Sequence, residues 1–529
     1  LQIDLLRAHI AGDVLSDAAT RRAYASDASP YRQTPMAVVR PRNRDDVVTL
    51  LQIAAEHRLA VIPRAAGTSL AGQCVGPGIV VDMGAYQHHI LECEPGMPRV
   101  TVQPGVVRDV LNRQLAPHRL LFAPDPSTTD RCQIGGMIGN NAWGLHAVGL
   151  GTTREHVTAL ELVLGDGTVI DVRALNAAQL GARCERGDRE GNLYRAVIEA
   201  VGAHAPSIAA GYPSTRGITS NSGYALDALL RGQPWNGHGP RFSLAGLLCG
   251  AEGTLAIVTA ATLKLIESPV AARLCCLHFD DVGQALNSVS AICETGPVAL
   301  ELLDRAILRV ADLHAEHSAN RFWLSGDPGA VLLVEYAGSS PDGVEAQLRG
   351  LLQMHAPRAA SVVDGADIER VWALRRAALK MLMEAEGGLR AITGIEDAAV
   401  AVKDLPAYYA EVQAILEVAG LAHYVYGPVG MGSLHIRPEL AVDRRYALAE
   451  YERLLDEVAA ITVRYGGSFS CKHGDGRMRG KYLEAVLGAG PVAAMRQVKA
   501  AFDPAGILNP GKILDCPPLT SDLALTAPR

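Results

Sequence analysis

The chain has 529 residues, 49% of them hydrophobic and 20% charged, a globular composition that excludes wholesale disorder and predicts three or four domain-sized units. Lysine plus arginine is 49 and aspartate plus glutamate is 56; the net charge of -7 excludes a global electrostatic footprint for nucleic acid. No uninterrupted apolar run is long enough to cross a bilayer, and the start of the chain lacks a basic cluster followed by an apolar run, so the expectation is a soluble protein without a transmembrane segment.

In chain order, AVVRPRN (37–43) reads as a strand, DDVVTLLQIAAEHR (45–58) as an amphipathic helix and LAVIP (59–63) as a buried strand. A loop rich in glycine and small residues follows from Arg64 to Gly78, then the strand IVVDM (79–83). The pattern restarts with the strand VTVQPGV and a helix over 107–118. VTALELVLGDGTVIDV (157–172) predicts a hairpin turning at Asp166-Gly167, and TLAIVTAATLKLIE (254–267) a further strand. Beyond about 270 the pattern changes. AARLCCLHF, ALELLDRAIL and AVLLVEYAG read as strand, helix and strand, which predicts an antiparallel sheet covered by helices. VAAMRQVKAAFDP predicts a last helix stopped at Asp503-Pro504, before the turn-rich NPGK and a tail or linker. The ten cysteines form no CxxC pair and no zinc or iron–sulfur spacing, so they read as reduced thiols.

Five loops carry glycine and small polar residues where main-chain amides can meet a phosphate or a planar ring: PRAAGTSLAG (63–72), PDPSTTDRCQIGGMIGNNAWG (124–144), GLGTTREHV (149–157), CGAEGTL (249–255) and NPGK (509–512). None is a Walker loop or a nicotinamide-dinucleotide fingerprint.

Taken in this order, the loops resemble the flavin-binding half of the vanillyl-alcohol oxidase, or FAD-linked oxidase, superfamily, with its D-lactate and D-2-hydroxyglutarate dehydrogenase branch the most similar. LELLDRAIL (300–308), GIEDAAV (394–400) and FDPAGILNPGKIL (502–514) look like the flavin half of bacterial dehydrogenases that fuse it to an iron–sulfur half. The resemblance implies an α+β protein: a PCMH-type two-subdomain FAD-binding domain and an antiparallel-sheet substrate (cap) domain. The expected divisions are an N-terminal helical segment (1–35), the FAD-binding domain (36–270), the substrate domain (271–490), a C-terminal helix and turn returning to the flavin (491–515), and a tail or linker (516–529). It implies non-covalent FAD held by Arg64, Ala66, Gly67, Thr68, Ser69 and Gly72 of the first loop. Asp125, Pro126, Ser127, Gly135, Gly136, Asn141 and Gly144 join them from the second, and Gly151 and Thr152 from the third. Glu252, Gly253 and Ile257 match the family's EGTLGIIT segment, although Ala256 replaces a glycine, and Asn509 matches an asparagine that reaches the flavin.

The family oxidises hydroxy acids by passing hydride from Cα to flavin N5 while a base takes the hydroxyl proton, and in its metal-dependent branch two histidines and a glutamate hold a divalent ion. Here GHxGDGNLH appears as GPVGMGSLH (427–435), with Pro428 in place of the first histidine and Met431 in place of the aspartate, and EHG appears as KHG (472–474), with Lys472 in place of the glutamate ligand. An ammonium repels a metal and offers no lone pair, so a family-type divalent ion is not expected. The reading that follows puts Lys472 where the metal would be and makes His473 the base. Arg375, Arg437 and His435 bind the substrate in a cationic pocket.

The function so implied is an FAD-dependent dehydrogenase of D-lactate or D-2-hydroxyglutarate class acids. Two alternatives are a non-catalytic or electron-relaying flavin subunit with a degraded site, and a flavoenzyme with another substrate. Locally, His435 also reads as a satisfied core histidine and Arg375 or Arg437 as a structural ion pair. Expected partners are a small anionic substrate and an electron acceptor, either a quinone, a cytochrome or an iron–sulfur protein. Any iron–sulfur centre would lie on a partner or on a C-terminal half outside this sequence. The expected location is cytoplasmic, peripheral to the inner membrane only through that acceptor.

Overall fold

The computed structural model describes residues 2–94, 96–354, 359–383, 389–441 and 445–524. Among them, no helix is long and apolar enough to cross a membrane. The architecture is α+β, with three main sheets.

The first sheet contains β1 (Asp13–Leu15), β2 (Ala37–Arg40), β3 (Val61–Arg64) and β4 (Ile79–Asp82) in the order β1-β2-β4-β3. β2, β4 and β3 run parallel, and their valine-rich runs are buried as a parallel sheet requires. The crossover helix Arg44–His57 is capped by the Asn43 side chain, which accepts from Asp46 N, and turns its apolar stripe, Val47, Leu50, Leu51 and Ala54, inward. The segment before residue 36 is more than helical: β1 pairs antiparallel with β2. Asp46 anchors this arrangement by accepting from Ala11 N (2.8 Å), Gly12 N (2.9 Å) and Arg42 N (2.8 Å).

β5 (Ile90–Glu92), β6 (Arg99–Val102), β8 (Val157–Val163), β9 (Val169–Arg173) and β10 (Ile257–Lys264) form an antiparallel sheet in the order β5-β6-β10-β8-β9. β7 (Leu120–Leu121) pairs separately with β11 (Ile266–Glu267). The expected hairpin is β8–β9.

The third sheet is antiparallel and seven-stranded: β12 (Ala271–Phe279), β13 (Ala299–Asp304), β14 (Ala330–Gly338), β15 (Ala359–Val363), β16 (Leu389–Ala391), β17 (His423–Gly427) and β18 (His435–Ala441), in the order β15-β12-β14-β13-β17-β18-β16. ALELLDRAIL corrects the helical reading. Its first six residues are the wholly buried β13, and a helix begins only at Arg305, capped by Asp304, which accepts from Ile307 N (2.8 Å). Alanine, leucine and glutamate favour helix locally, but two buried sheet faces decide otherwise. Leu300 and Leu302 enter one apolar core, while Ala299 and Leu303 enter another that includes Trp372 of the helix Ala366–Met383. Period-two alternation therefore turns Glu301 toward that helix.

The helix Ala489–Phe502 packs on Arg189–Ala203, and the chain then returns to β3: Val61 N donates to Ile507 O and Asn509 N to Val61 O, each at 2.8 Å. Residues 516–524 are docked on the body, which corrects their reading as a tail or linker. The Tyr31 hydroxyl donates to Leu519 O (2.9 Å), Ala524 N donates to Pro30 O (2.8 Å), and Arg477 pairs with Asp522 (3.0 Å).

Leu302→Ala is expected to remove about 2–5 kcal/mol and lower the thermal unfolding temperature. Val418→Ala, at a position 90% exposed, is expected to stay within about 0.5 kcal/mol of the parent in the same melt.

Candidate functional site

The loop after β3 passes through Gly67, whose φ of +70° is the left-handed region; an added Cβ would sit 2.3 Å from the Arg64 guanidinium. Arg64 folds back over this turn, donating to Ser26 O (2.9 Å). Main-chain N–H groups from Ala65 to Leu70 make no hydrogen bond among the described residues, leaving a row of donors for an acceptor-rich ligand.

That row borders a cavity of about 1050 Å³, at the upper end of small-molecule sites. Arg64, Ala66, Gly67, Thr68, Ser69, Pro126, Ser127, Gly135, Gly136, Glu252, Gly253 and Ile257 line it, as expected for a cofactor wall. Gln133, also on the wall, keeps a buried Oε1 with no partner among the described residues. These features fit FAD: free amides for its pyrophosphate, and close-packed glycines where side chains would fill the cradle.

The remaining expected cofactor residues stand behind this wall. An added Cβ at Gly72 would meet the Tyr31 ring at 2.7 Å. Asn141 donates to Asn221 (2.8 Å) and accepts from the Thr152 hydroxyl (3.0 Å), while Gly151 precedes the Thr152–Glu155 capping box. Asn509 donates to Gln73 O (2.8 Å) and Glu252 O (2.7 Å), and its buried Oδ1 has no partner among the described residues. Gly144 packs against the Asp125 main chain, and the Asp125 carboxylate turns to His146 (2.7 Å). Asp125 thus contributes an ion pair behind the wall.

The opposite side of the cavity is lined by Arg375, His435, Arg437, Lys472 and His473, all five residues expected at the substrate, together with Tyr426. Three successive main-chain N–H groups, of Cys471 (3.1 Å), Lys472 (3.0 Å) and His473 (2.8 Å), converge on the Asp397 carboxylate. Asn140 donates to Lys472 O (3.0 Å), Gln73 to His473 O (2.6 Å) and Trp143 to Cys471 O (3.3 Å), so the KHG loop is held from both sides.

The Nδ1 of His473 lies 3.1 Å from Glu396 Oε1 and 3.3 Å from Asp397 Oδ1. The Nδ1 of His435 donates to Glu396 O at 2.7 Å, since a carbonyl only accepts. The two rings stack at 5.2 Å, and neither Nε2 has a hydrogen-bond partner among the described residues. Burial, reinforced by His473, Lys472, Arg375 and Arg437, pulls His435 well below its ordinary 6.5, so it is neutral with an open Nε2. Burial pushes Glu396 up, but the Arg479 and Arg437 guanidiniums win and hold it well below the carboxylate range.

The three cations differ. Arg375 is gripped by buried Glu301 through Nε (2.7 Å) and Nη2 (2.5 Å), which neutralises much of its field. Arg437 donates to the Tyr426 hydroxyl (2.8 Å), and the Tyr426 ring lies 4.8 Å from the Arg375 guanidinium. Lys472, only 8% exposed, rests its ammonium 4.5 Å from the Trp143 ring centroid; among the described residues it has no hydrogen-bond or ion-pair partner. Burial and Arg375 lower its proton affinity, opposed by the negative charges of Glu301 and Asp125. Among the described residues, no group of three or more His, Cys, Asp or Glu side chains could hold a metal ion.

Sequence reasoning missed Glu301, Tyr426, Glu396 and Asp397. Only the last two left a local signal, adjacent acids inside the apolar GIEDAAV.

Glu252 accepts from Gly476 N (2.9 Å) beneath this loop, and burial pushes its carboxyl from 4.5 up to about 8. A raised carboxyl contributes stability that is present below about pH 4.5 and lost as pH rises through about 8. Relative to Glu252→Gln, the parent's melting temperature is therefore expected to fall across that window in pH-dependent thermal melts.

Residues 35–173 match the family described as FAD binding domain, and residues 268–513 that described as FAD linked oxidases, C-terminal domain. The chain is 34% identical to a D-2-hydroxyglutarate dehydrogenase of Pseudomonas putida, over 97% of this chain and 51% of that protein, so it spans about half the length of that relative. It is 30% identical to the glycolate oxidase subunit GlcD of Bacillus subtilis, over 94% of this chain and 92% of that one. The fold is shared with 4-ethylphenol oxidase from Gulosibacter chungangensis at a TM-score of 0.67 and 14% identity, covering 97% of this chain and 96% of that one. With a PCMH-type α+β fold, paired domain matches and a near full-length relative, the chain belongs to the FAD-linked oxidase family, and its cofactor is FAD.

Proposed function

We propose that the protein is an FAD-dependent dehydrogenase that oxidises a D-2-hydroxy acid to the 2-oxo acid. The observation that carries this reading is one cavity walled on one side by the FAD loops and on the other by two stacked imidazole rings and an ammonium with no hydrogen-bond or ion-pair partner among the described residues. The names of the relatives, D-2-hydroxyglutarate dehydrogenase and glycolate oxidase subunit, point to the same substrate class.

Arg437 and Lys472 bind the substrate's carboxylate and hydroxyl oxygens, while Arg375, tied to Glu301, shapes the wall between them. The hydroxyl proton passes to Nε2 of His473. Its Nδ1 faces Glu396 and Asp397, which orient the ring and stabilise the imidazolium that forms. The Lys472 ammonium stabilises negative charge developing on the substrate oxygen, the task a metal ion performs elsewhere. FAD supplies the acceptor for the hydride leaving the carbinol carbon. Turnover requires a separate electron acceptor, for which a quinone, a cytochrome or an iron–sulfur protein has suitable chemistry.

The test is anaerobic. D-lactate, D-2-hydroxyglutarate, glycolate and D-malate are added in turn to the FAD-loaded protein, with and without EDTA, while flavin absorption is followed. At least one acid is expected to bleach the flavin, unaffected by EDTA. Lys472→Ala is expected to retain flavin but slow that bleaching by about 10²-fold or more. Bleaching by none of the acids overturns the reading; loss of bleaching in EDTA, or an undiminished rate in Lys472→Ala, removes the role given to lysine.

A further inference from the structure

A histidine with no part in the proposed proton transfer sits where the flavin loops meet the seven-stranded sheet. Gly144 makes its position possible: an added Cβ would lie 1.8 Å from Asp125 O, so only glycine lets the chain cross there. Two residues on, His146 places Nδ1 2.7 Å from Asp125 Oδ2 and Nε2 3.2 Å from Glu335 Oε2 of β14. Its edge meets the Trp372 ring at 5.9 Å, and the Trp372 indole N–H donates to the same Glu335 oxygen at 2.5 Å. The helix Ala147–Leu150 that follows packs on β13, with Gly149 N donating to Val298 O (3.3 Å).

A neutral imidazole has one N–H. Two carboxylates, one at each ring nitrogen, require two. With the ring neutral, one nitrogen would turn a lone pair toward a largely buried carboxylate, and the contact across the seam would become repulsive.

We infer that His146 is a positioning residue, an imidazolium clamp between Asp125 and Glu335 that closes the seam and thereby sets the substrate side of the cavity. The connection is short on both sides. Asp125 adjoins Pro126 and Ser127 of the flavin wall, and its negative charge acts on Lys472. Glu335 holds Trp372, and one helical turn further along, Arg375 grips Glu301 and lines the cavity. The charged groups around the clamp are Asp125 and Glu335 at the ring, with Arg108 and Lys472 beyond Asp125. Burial opposes the charge on His146, but the two carboxylates raise it well above its ordinary 6.5; Asp125 is held below 3.8 despite its own burial.

The stabilising contribution of a raised histidine is fully present below about pH 6.5 and is lost as pH rises through the folded-state value. The experiment compares FAD-loaded parent, His146→Gln and Glu335→Gln across pH by anaerobic flavin reduction and by thermal melting. The reduction arm uses the acid that bleaches the parent and so rests on the proposed function; the melting arm does not. In the parent, substrate KM is expected to rise about tenfold on the alkaline side with little change in the saturated rate. His146→Gln is expected to show the high KM at every pH. Glu335→Gln lets a neutral His146 donate to Asp125 and accept from the new amide, so the alkaline rise is expected to disappear. Melting temperature is expected to fall with alkaline pH in the parent and to be flatter in both variants. Superimposable melting profiles for parent and Glu335→Gln overturn the clamp, as does an unchanged alkaline KM in that variant. If His146→Gln fails to hold flavin, the comparison of Glu335→Gln with the parent decides alone. If no hydroxy acid bleaches the parent, the proposed function falls and the melting profiles still decide the clamp.

Discussion

The cavity depends on two adjacent, fully buried carboxylates, Glu396 and Asp397. A buried carboxylate survives only when its oxygens are met by donors and its charge is matched. Asp397 satisfies this with three main-chain amides of residues 471–473, and Glu396 with Arg479 (2.9 Å), His473 and the amide of Gly394. The need of the acids for donors is what forces the KHG loop into one conformation. That conformation presents His473 and Lys472 together at the wall.

Charge neutralisation then separates structure from chemistry. Arg479 is committed to Glu396 and the carbonyls of Gly394 and Gly474, and Arg375 to Glu301. Lys472 is left against an aromatic face rather than against a carboxylate. A chain with a net charge of -7 can in this way present positive potential at one place, because its neighbouring arginines are used to balance acids. The same arrangement keeps His435 neutral, and a neutral ring offers a lone pair rather than a second positive charge.

What the sequence made legible was local. Glycine and small polar residues repeat near one another in the cofactor loops, so a reader can find Gly67, Gly135 and Gly253 without knowing the fold. Arg375, Lys472 and His473 were singled out because their short motifs persist or depart from a known pattern, and Arg437 because it follows His435. Partnerships across the fold were not legible. Nothing near Asp125 announces that its carboxylate turns to His146, and nothing near Arg375 announces Glu301. ALELLD failed for a related reason: its composition speaks for a helix, and only the neighbouring strands β14 and β17 make it a sheet interior.

The return of Leu508 to Val61 also orders events during synthesis. β3 is an edge strand, and its outer side is covered by residues 507–509, which leave the ribosome hundreds of residues later. Until then the first sheet carries an open edge, the kind of surface that recruits stray strands and chaperones. Asn509 reaches the loop bearing Gln73 only on arrival of that segment, so the cofactor wall is completed late. The nascent chain therefore passes through a stage in which its nucleotide-facing loop is made but not yet held in place.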